Sequence, residues 1–415
     1  MTTIILPILS REEVINMRSS LGFHTMSLML LVNDEDITEL IKDFKKYSQN
    51  TRLIKIYVDN GDYHIMYYKE DRGIKWIIRQ NDWSYRFGVY IVQVTINPKI
   101  LGGIQDYVKA STYENMETAI TNFNLESKRI SPLLKNFYEY KLQRIDYCVN
   151  FYLDELINQG SPELIMELIK KSNIPTDYEE YMKYDKTAHR MKSPDDSFYL
   201  KNNSVNVNCY NKYADLQQRS EDRKSKGLGG ISQVTLDEAR GIIRFEVQFK
   251  YYKMYHVSKL AKQAGNNEYN LYESLLIPEV CIDIVEDYFI KIIGKGDWYT
   301  LQAATKKIKE QHFHKQKENR LIEALQYVNQ CRSLAKAKAS LEGKELEAFK
   351  RTLNDLSALH ISPVTIPKDR GVTKIPNLLY AYFDKVQSEK LKWEIEEFSS
   401  NCLKEYVKEF GYLPT

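Results

Sequence analysis

Three segments of the chain alternate apolar and polar residues with the period of two that a half-buried strand requires. In 144–151, Ile145, Tyr147, Val149 and Phe151 share one face, and Arg144, Asp146, Cys148 and Asn150 share the other. In 242–249, Phe245, Val247 and Phe249 oppose Arg244, Glu246 and Gln248. In 204–210, the end of a strand expected over 197–210, Val205, Val207 and Cys209 oppose Asn206, Asn208 and Tyr210. Two separate strands therefore repeat Arg-x-acid on a polar face, and a third carries two asparagines and a tyrosine.

The remaining pattern predicts the surroundings. Thr3–Leu9 reads as a short strand, followed by a helix whose Ser10 and Glu13 have capping-box spacing. Asp34–Gln49 is an amphipathic helix. Short strands follow at Leu53–Val58, Tyr63–Tyr68, Ile74–Arg79 and Val89–Asn97, the first two joined by the hairpin pair Asn60-Gly61. Met116–Asn124 begins a helical run that Pro132 breaks and Leu133–Tyr140 continues. Further helices are expected at Pro162–Lys171, Lys212–Lys226, Tyr255–Ala264 and Val280–Ile293, and Ile174–Asp196 reads as a polar loop or flap. Residues 302–410 are nearly all helix-forming, interrupted at Gly343 and over Pro363…Pro376. The expected fold is α+β. A small N-terminal α/β unit covers 1–88, an antiparallel-sheet domain 89–300, and an all-helical region 301–415.

Composition narrows the class. At 43% hydrophobic and 28% charged, the chain can bury a full core. A formal net charge of +3 neither requires nor excludes a nucleic-acid partner, so distribution matters more. Residues 302–351 carry twelve Lys or Arg against six Glu. That stretch is either a solvated helical face or a region that binds DNA phosphates or a partner. Five cysteines, an odd number without metal-ligand spacing, point to reduced thiols and a cytoplasmic location. There is no signal-peptide layout and no apolar run of about 18 residues, so no membrane partner is expected. Gly227-Leu-Gly-Gly230 lacks the Lys-Ser/Thr of a phosphate-binding loop and reads as a linker.

If the three strands are neighbours, their polar face gathers Asp146, Glu246, Arg144, Arg244 and Tyr210, and Asp215 follows the strand end. Ordinary half-solvated faces with surface ion pairs would give the same alternation. Converging carboxylates, however, repel unless a cation sits among them, and a hard cation such as Mg²⁺ or Mn²⁺ takes such oxygens. A tyrosine beside that ion can attack phosphorus, with Lys212 or an arginine stabilising the developing charge.

The order Arg-x-Asp strand, Tyr210-Asn-Lys212, Arg244-Phe-Glu246 resembles the rolling-circle replication initiators of Gram-positive plasmids (the Rep_trans type), the related gene II/X phage and plasmid replication proteins, and the relaxases akin to them. The resemblance covers roughly residues 90–300. Val94-Thr-Ile-Asn-Pro98, Gly294-Lys-Gly-Asp-Trp-Tyr299 and the later Ile361-Ser-Pro…Ile366-Pro367 are also similar to gene II/X-type proteins. It implies a Rep-type palm in which Tyr210 is the DNA-nicking nucleophile, with Lys212 and Arg244 beside it. It also implies a Mg²⁺ or Mn²⁺ ion held by Asp146, Glu246 and Asp215. At Asp215 plasmid members tend to have Glu, so the shorter side chain departs from the pattern. The implied activity is site-specific nicking and rejoining of origin DNA through a 5′-phosphotyrosine. The nick site would be single-stranded or in a hairpin. A host helicase and polymerase, and a second copy of the chain in a homodimer, are further expected partners. A relaxase for conjugative mobilisation, or a non-catalytic DNA-binding protein, is the alternative.

Competing residues remain. His312-Phe-His314 has the spelling of a His-hydrophobe-His metal motif. It falls in an expected helix over Glu310–Tyr327, where positions i and i+2 point apart. Tyr251, Tyr252 and Tyr255 are alternative nucleophiles or packing residues at a strand end. Asp297-Trp-Tyr299 reads as a helix start with Trp298 in the core rather than a base-stacking platform.

Overall fold

A computed structural model describes residues 21–49, 54–59, 62–69, 72–80, 89–104, 106–153, 161–185, 190–225, 229–263, 275–276 and 278–382. The expected strand 3–9 and the helix after Ser10 lie outside these residues, as do the Asn60-Gly61 turn and the chain beyond 382.

The strands are β1 (Leu21–Asn33), β2 (Ile54–Asp59), β3 (Asp62–Lys69), β4 (Ile74–Gln80), β5 (Val89–Ile96), β6 (Lys141–Tyr152) and β7 (Glu179–Glu180). They continue with β8 (Lys183–Asp185), β9 (Arg190–Lys192), β10 (Ser197–Lys201), β11 (Val205–Asn211), β12 (Ile242–Lys250), β13 (Trp298–Tyr299) and β14 (Lys374–Ile375). Ten of them make one sheet in the order β2-β3-β4-β5-β1-β6-β12-β11-β10-β7. Its pairings are antiparallel. The principal helices are α1 (Asp34–Gln49), α2 (Tyr113–Ile130), α3 (Pro162–Lys170), α4 (Lys212–Ser225), α5 (Tyr251–Gln263) and α6 (Pro278–Ile292). After them come α7 (Leu301–Lys309), α8 (Lys315–Gln330), α9 (Leu334–Ala339) and α10 (Gly343–Ala358). The architecture is α+β, with helices dominating the C-terminal part. Among the described residues no helix is long and apolar enough to cross a membrane.

The period-two reading of the core strands holds side chain by side chain. Ile145, Tyr147, Val149, Phe151, Phe245, Val247 and Phe249 are all buried on the apolar face. Phe289 of α6 meets the rings of Phe151 and Phe245 edge-on at 5.6 and 5.3 Å, and Tyr147 meets Phe249 at 5.5 Å. Each such ring contributes roughly 1.5–3 kcal/mol by leaving water, so this packing fixes which face remains for polar side chains.

Three expectations change. First, 197–210 is not one strand. Asn202 Oδ1 accepts the N–H groups of Ser204 at 2.8 Å and Val205 at 2.6 Å, and this side-chain turn folds the segment into the β10–β11 hairpin. Second, the helical run from 116 is part of α2 and ends at Ile130; of 133–140 only Phe137–Glu139 is helical, as one 3₁₀ turn. Third, 174–196 is not loop throughout, because it supplies β7 and the β8–β9 ribbon.

Residues 21–33, for which the pattern gave no element, form the sheet's central join. β1 pairs with β5 on one side and β6 on the other. The strands flanking residue 88, β4 and β5, are also paired neighbours, so the sheet runs unbroken from β2 to β12.

The two late motifs meet each other. Trp298 is fully buried, as expected, but it lies in β13, paired with Ile375 of β14; the helix starts only after the Thr300 cap. Asp297 bridges to Ile361 and Thr300 to Ile366. The Asn377 side chain donates to the carbonyls of Gly294 at 2.9 Å and Gly296 at 3.2 Å. Gly294–Tyr299 and Ile361–Pro367 thus form the seam between the sheet and the C-terminal helices.

Candidate active site

β6, β12 and β11 are consecutive in the sheet, so their polar faces form one surface. The register sets Arg244 between Asn150 and Tyr210, Glu246 between Cys148 and Asn208, and Gln248 between Asp146 and Asn206. Glu246 is therefore central, and Tyr210 is its diagonal neighbour, within reach of a long side chain. The Tyr210 hydroxyl donates to Glu246 Oε1 at 2.7 Å, and both residues are buried.

A third group on that oxygen comes from β1. Opposite Asp146 the ladder slips: Phe23 pairs with Tyr147 and Met26 with Ile145, leaving His24 and Thr25 together against one residue. Such a bulge turns two successive side chains off strict alternation. Phe23 and Met26 stay in the core. His24 Nδ1 reaches Glu246 Oε1 at 2.8 Å, and the Thr25 hydroxyl donates to Asp146.

These contacts set the charges. Burial pushes the Tyr210 phenol well above its ordinary pKa, and the adjacent Glu246 carboxylate pushes the same way. Burial alone would raise Glu246, but His24, Arg244 and the Tyr210 hydroxyl outweigh it and hold the carboxyl at about 2. Burial depresses His24 against the pull of Glu246. The resting arrangement is an ionised Glu246 accepting from a protonated phenol and a neutral imidazole.

Tyr210, Glu246 and His24 open onto a cavity of about 510 Å³, whose wall also includes Asp215 and Arg219 of α4. Asp215 and Arg219 are one helical turn apart and so share a face. Lys212, three residues before Asp215, does not line the cavity. It is buried, its Nζ bonds Asp215 Oδ2 at 2.8 Å, and it lies 5.5 Å from the Tyr210 ring centroid. Burial and the nearby Arg244 lower Lys212 to about 8. Asp215 is held below its usual value, because Lys212 outweighs the effect of burial. Arg244 is also fully enclosed: Nε donates to Asn150 Oδ1 at 2.7 Å, the guanidinium donates to the Val108 carbonyl, and Nη1 lies 3.9 Å from Glu246. It lines a narrow cleft with Lys99, and His24 and Arg219 line both this cleft and the main cavity.

Of the expected site residues, the fold brings Tyr210, Glu246 and Asp215 to one wall and sets Lys212 and Arg244 behind it. Asp146 is not on that wall. It lies opposite Gln248, bonded by Thr25 and 3.0 Å from Arg144 Nε, and burial raises it to about 7 despite Arg144. Among the described residues no three His, Cys, Asp or Glu side chains are grouped to hold a metal ion. Glu246 and Asp215 suit a hard cation that keeps part of its water and takes its remaining oxygens from a phosphate, as Mg²⁺ does. Asp146, as placed, does not complete that set.

His24 and Arg219 belong to the site although the sequence pattern did not single them out. The bulge hides His24 from a period-two reading, whereas Arg219 was accessible as the i+4 neighbour of Asp215. The alternatives lie elsewhere. His312 and His314 are in the turn between α7 and α8, not inside a helix, and His314 caps α8. Tyr251, Tyr252 and Tyr255 start α5, where Tyr251 and Tyr255 stack, and none lines the cavity. In the basic helical region Lys317 and Arg320 pair with Asp355, and Lys350 with Glu347.

No family model matches the sequence, and no curated protein matches it. Among solved structures, the chain is similar to a rolling circle replication initiator protein from Geobacillus stearothermophilus at 9% identity and a TM-score of 0.24. The match covers 56% of this chain and 74% of that one.

Proposed function

We propose that the chain is an initiator of rolling-circle replication that nicks one strand of origin DNA with Tyr210. The observation that carries this reading is the Tyr210 hydroxyl held 2.7 Å from Glu246 at the wall of an open cavity. The Tyr210 oxygen attacks phosphorus as the phenol proton passes to Glu246, and the bond from phosphorus to the 3′ oxygen breaks. The 3′ oxygen takes up a proton from water and leaves as a hydroxyl, and the 5′ phosphate stays on Tyr210. The energy of the broken ester is kept in the phosphotyrosine, so the strand can be rejoined by the reverse step.

The raised phenol pKa and the low Glu246 pKa both oppose this proton transfer, and local positive charge offsets the first. Arg244 is the cation that pulls the phenol down, and Lys212 beside the ring and Arg219 on the cavity wall would add positive charge for the phosphate. Arg244 orients Glu246 from behind rather than touching substrate. A Mg²⁺ or Mn²⁺ ion held by Glu246 and Asp215 would polarise the phosphoryl oxygens and favour the phenolate.

The test is incubation with supercoiled plasmid carrying the DNA that flanks the gene, with Mn²⁺ present. The expected product is an open circle with protein joined to its 5′ end, absent with Tyr210→Phe. Undiminished nicking by that variant overturns the assignment of Tyr210.

A further inference from the structure

The cavity has a second wall that the transfer step does not use. The β10–β11 register places Ser197 opposite Tyr210, and Tyr199 opposite Asn208. Tyr199 and Asn208 therefore sit on the same polar face as the nucleophile, two residues along the sheet, or roughly 6.6 Å. Beyond Tyr199, the exposed Tyr181 meets it edge to face, with ring centroids 5.9 Å apart at 87°, and Tyr181 N–H donates to the Tyr199 carbonyl at 2.8 Å. The two rings make a right-angled aromatic corner that opens into the cavity. Asn208 Oδ1 is buried on this wall and has no hydrogen-bond partner. A buried acceptor left unpaired costs about 1–3 kcal/mol, so this one is poised for a donor from a ligand.

We propose that Tyr181, Tyr199 and Asn208 form a nucleobase subsite that takes the base flanking the attacked phosphate, which rests on the nicking function proposed above. An aromatic corner offers a face for stacking and an edge for closure, and the Asn208 amide offers an acceptor and a donor to a base edge. The volume is that of a small-molecule pocket, so it admits one nucleotide together with its phosphate at Tyr210. A base can enter such a corner only when out of its stack. The substrate class is therefore a single strand or an extruded nucleotide, not an intact duplex. The corner reads the presence of a base more than its identity, since every base has a π-face and an edge donor.

The test uses Tyr210→Phe protein, so that binding is measured without covalent capture. Fluorescein-labelled single strands of mixed sequence are compared with abasic strands of equal length by anisotropy. The base-bearing strand is expected to bind roughly five- to hundredfold more tightly, the range of one stacked base. Adding Tyr181→Ala or Asn208→Leu should shrink that ratio, and Tyr181→Phe should keep it, with the melting temperature unchanged in each. Free deoxynucleoside monophosphates should not compete at the strand's concentration; equal competition would make the ligand a free nucleotide and overturn the strand assignment. Equal affinity for base-bearing and abasic strands overturns the subsite and leaves the nicking proposal standing. Binding of neither strand overturns both.

Discussion

His24 Nδ1 stands 2.8 Å from Glu246 Oε1, the oxygen that also accepts the Tyr210 hydroxyl. Two donors on one oxygen fix the carboxylate's orientation and hold it ionised. His24 acts through Glu246, the proton acceptor of the proposed step, so it is a positioning residue. Hydrogen bonds to charged groups contribute about 1.5–3 kcal/mol, and each 1.36 kcal/mol is tenfold in rate. His24→Ala is expected to lower the single-turnover nicking rate roughly ten- to hundredfold while leaving the affinity for single-stranded DNA nearly unchanged. A matching loss of affinity would place His24 on the substrate instead.

Glu246→Gln keeps the shape of the side chain and removes its charge. The phenol then loses both the neighbour that raises its pKa and the acceptor for its proton. If proton acceptance matters more, nicking falls by about 10²–10⁴-fold, the usual worth of a general base. Denaturation curves should show the fold retained. A rate equal to or above that of the unsubstituted protein would mean that Glu246 restrains Tyr210 rather than activates it.

Arg219 is the cation that α4 turns toward the cavity, while Lys212 is spent on Asp215. A phosphate contact to a single strand contributes about 0.7 to the slope of log affinity against log salt. Arg219→Ala is expected to weaken strand binding at low salt and reduce that slope by about this amount. Lys212→Met should leave the slope unchanged, which separates the two lysine- and arginine-based roles in one titration series.

Most of the polar surface was legible in the sequence because the buried faces of β6, β11 and β12 leave only one side for Arg, Asp, Glu and Tyr. Which of those residues would touch was not. Relative register depends on hydrogen bonds between strands far apart in sequence, and here it sets Glu246 beside Tyr210 but Asp146 opposite Gln248. The bulge in β1 moves His24 and Thr25 onto the polar face and so breaks the alternation by which that strand would be recognised. The Asn202 turn was legible both as residue type and as a change of phase, because the buried positions pass from Phe198 and Leu200 before it to Val205, Val207 and Cys209 after it, which one continuous strand cannot do.

Lys99, which shares a cleft with Arg244 and His24, provides a stability test. It is buried, bonds the Lys109 carbonyl and lies 3.4 Å from Asp106; burial lowers its pKa to about 7, with Asp106 opposing. Between about pH 7 and the unfolded value near 10.4, the unfolded chain binds a proton that the folded chain does not, so stability rises with pH. The slope is about 1.4 kcal/mol per pH unit where the two states differ by one full proton. Below pH 7 both states are protonated and the cost of burying the charge is complete. Lys99→Met removes this dependence. Guanidinium titrations at pH 7 and pH 9 should show the stability of the unsubstituted protein gaining on that of the variant as pH rises. A constant difference would show that Lys99 is not desolvated.

The seam between the sheet and the C-terminal helices depends on a close backbone approach. A Cβ added at Gly296 would stand 2.2 Å from the Ile361 carbonyl carbon and the Ser362 nitrogen, both of them backbone atoms that cannot rotate away. The strand at Asp297 would have to separate from Ile361, and the Asn377 bonds to the carbonyls of Gly294 and Gly296 would lengthen with it. Overpacking against side chains costs about 1–3 kcal/mol, and rigid backbone puts this substitution at or above the upper end. Gly296→Ala is thus expected to lower the melting temperature by several degrees. Gly294→Ala puts strain at a different point, because Gly294 has φ +94° and open space around its missing Cβ; its cost is conformational rather than steric. Limited proteolysis distinguishes the two. Gly296→Ala should expose the seam between residues 294 and 300 to cleavage and release the helical region, and an intact digestion pattern would show that the seam is not what holds that region to the sheet.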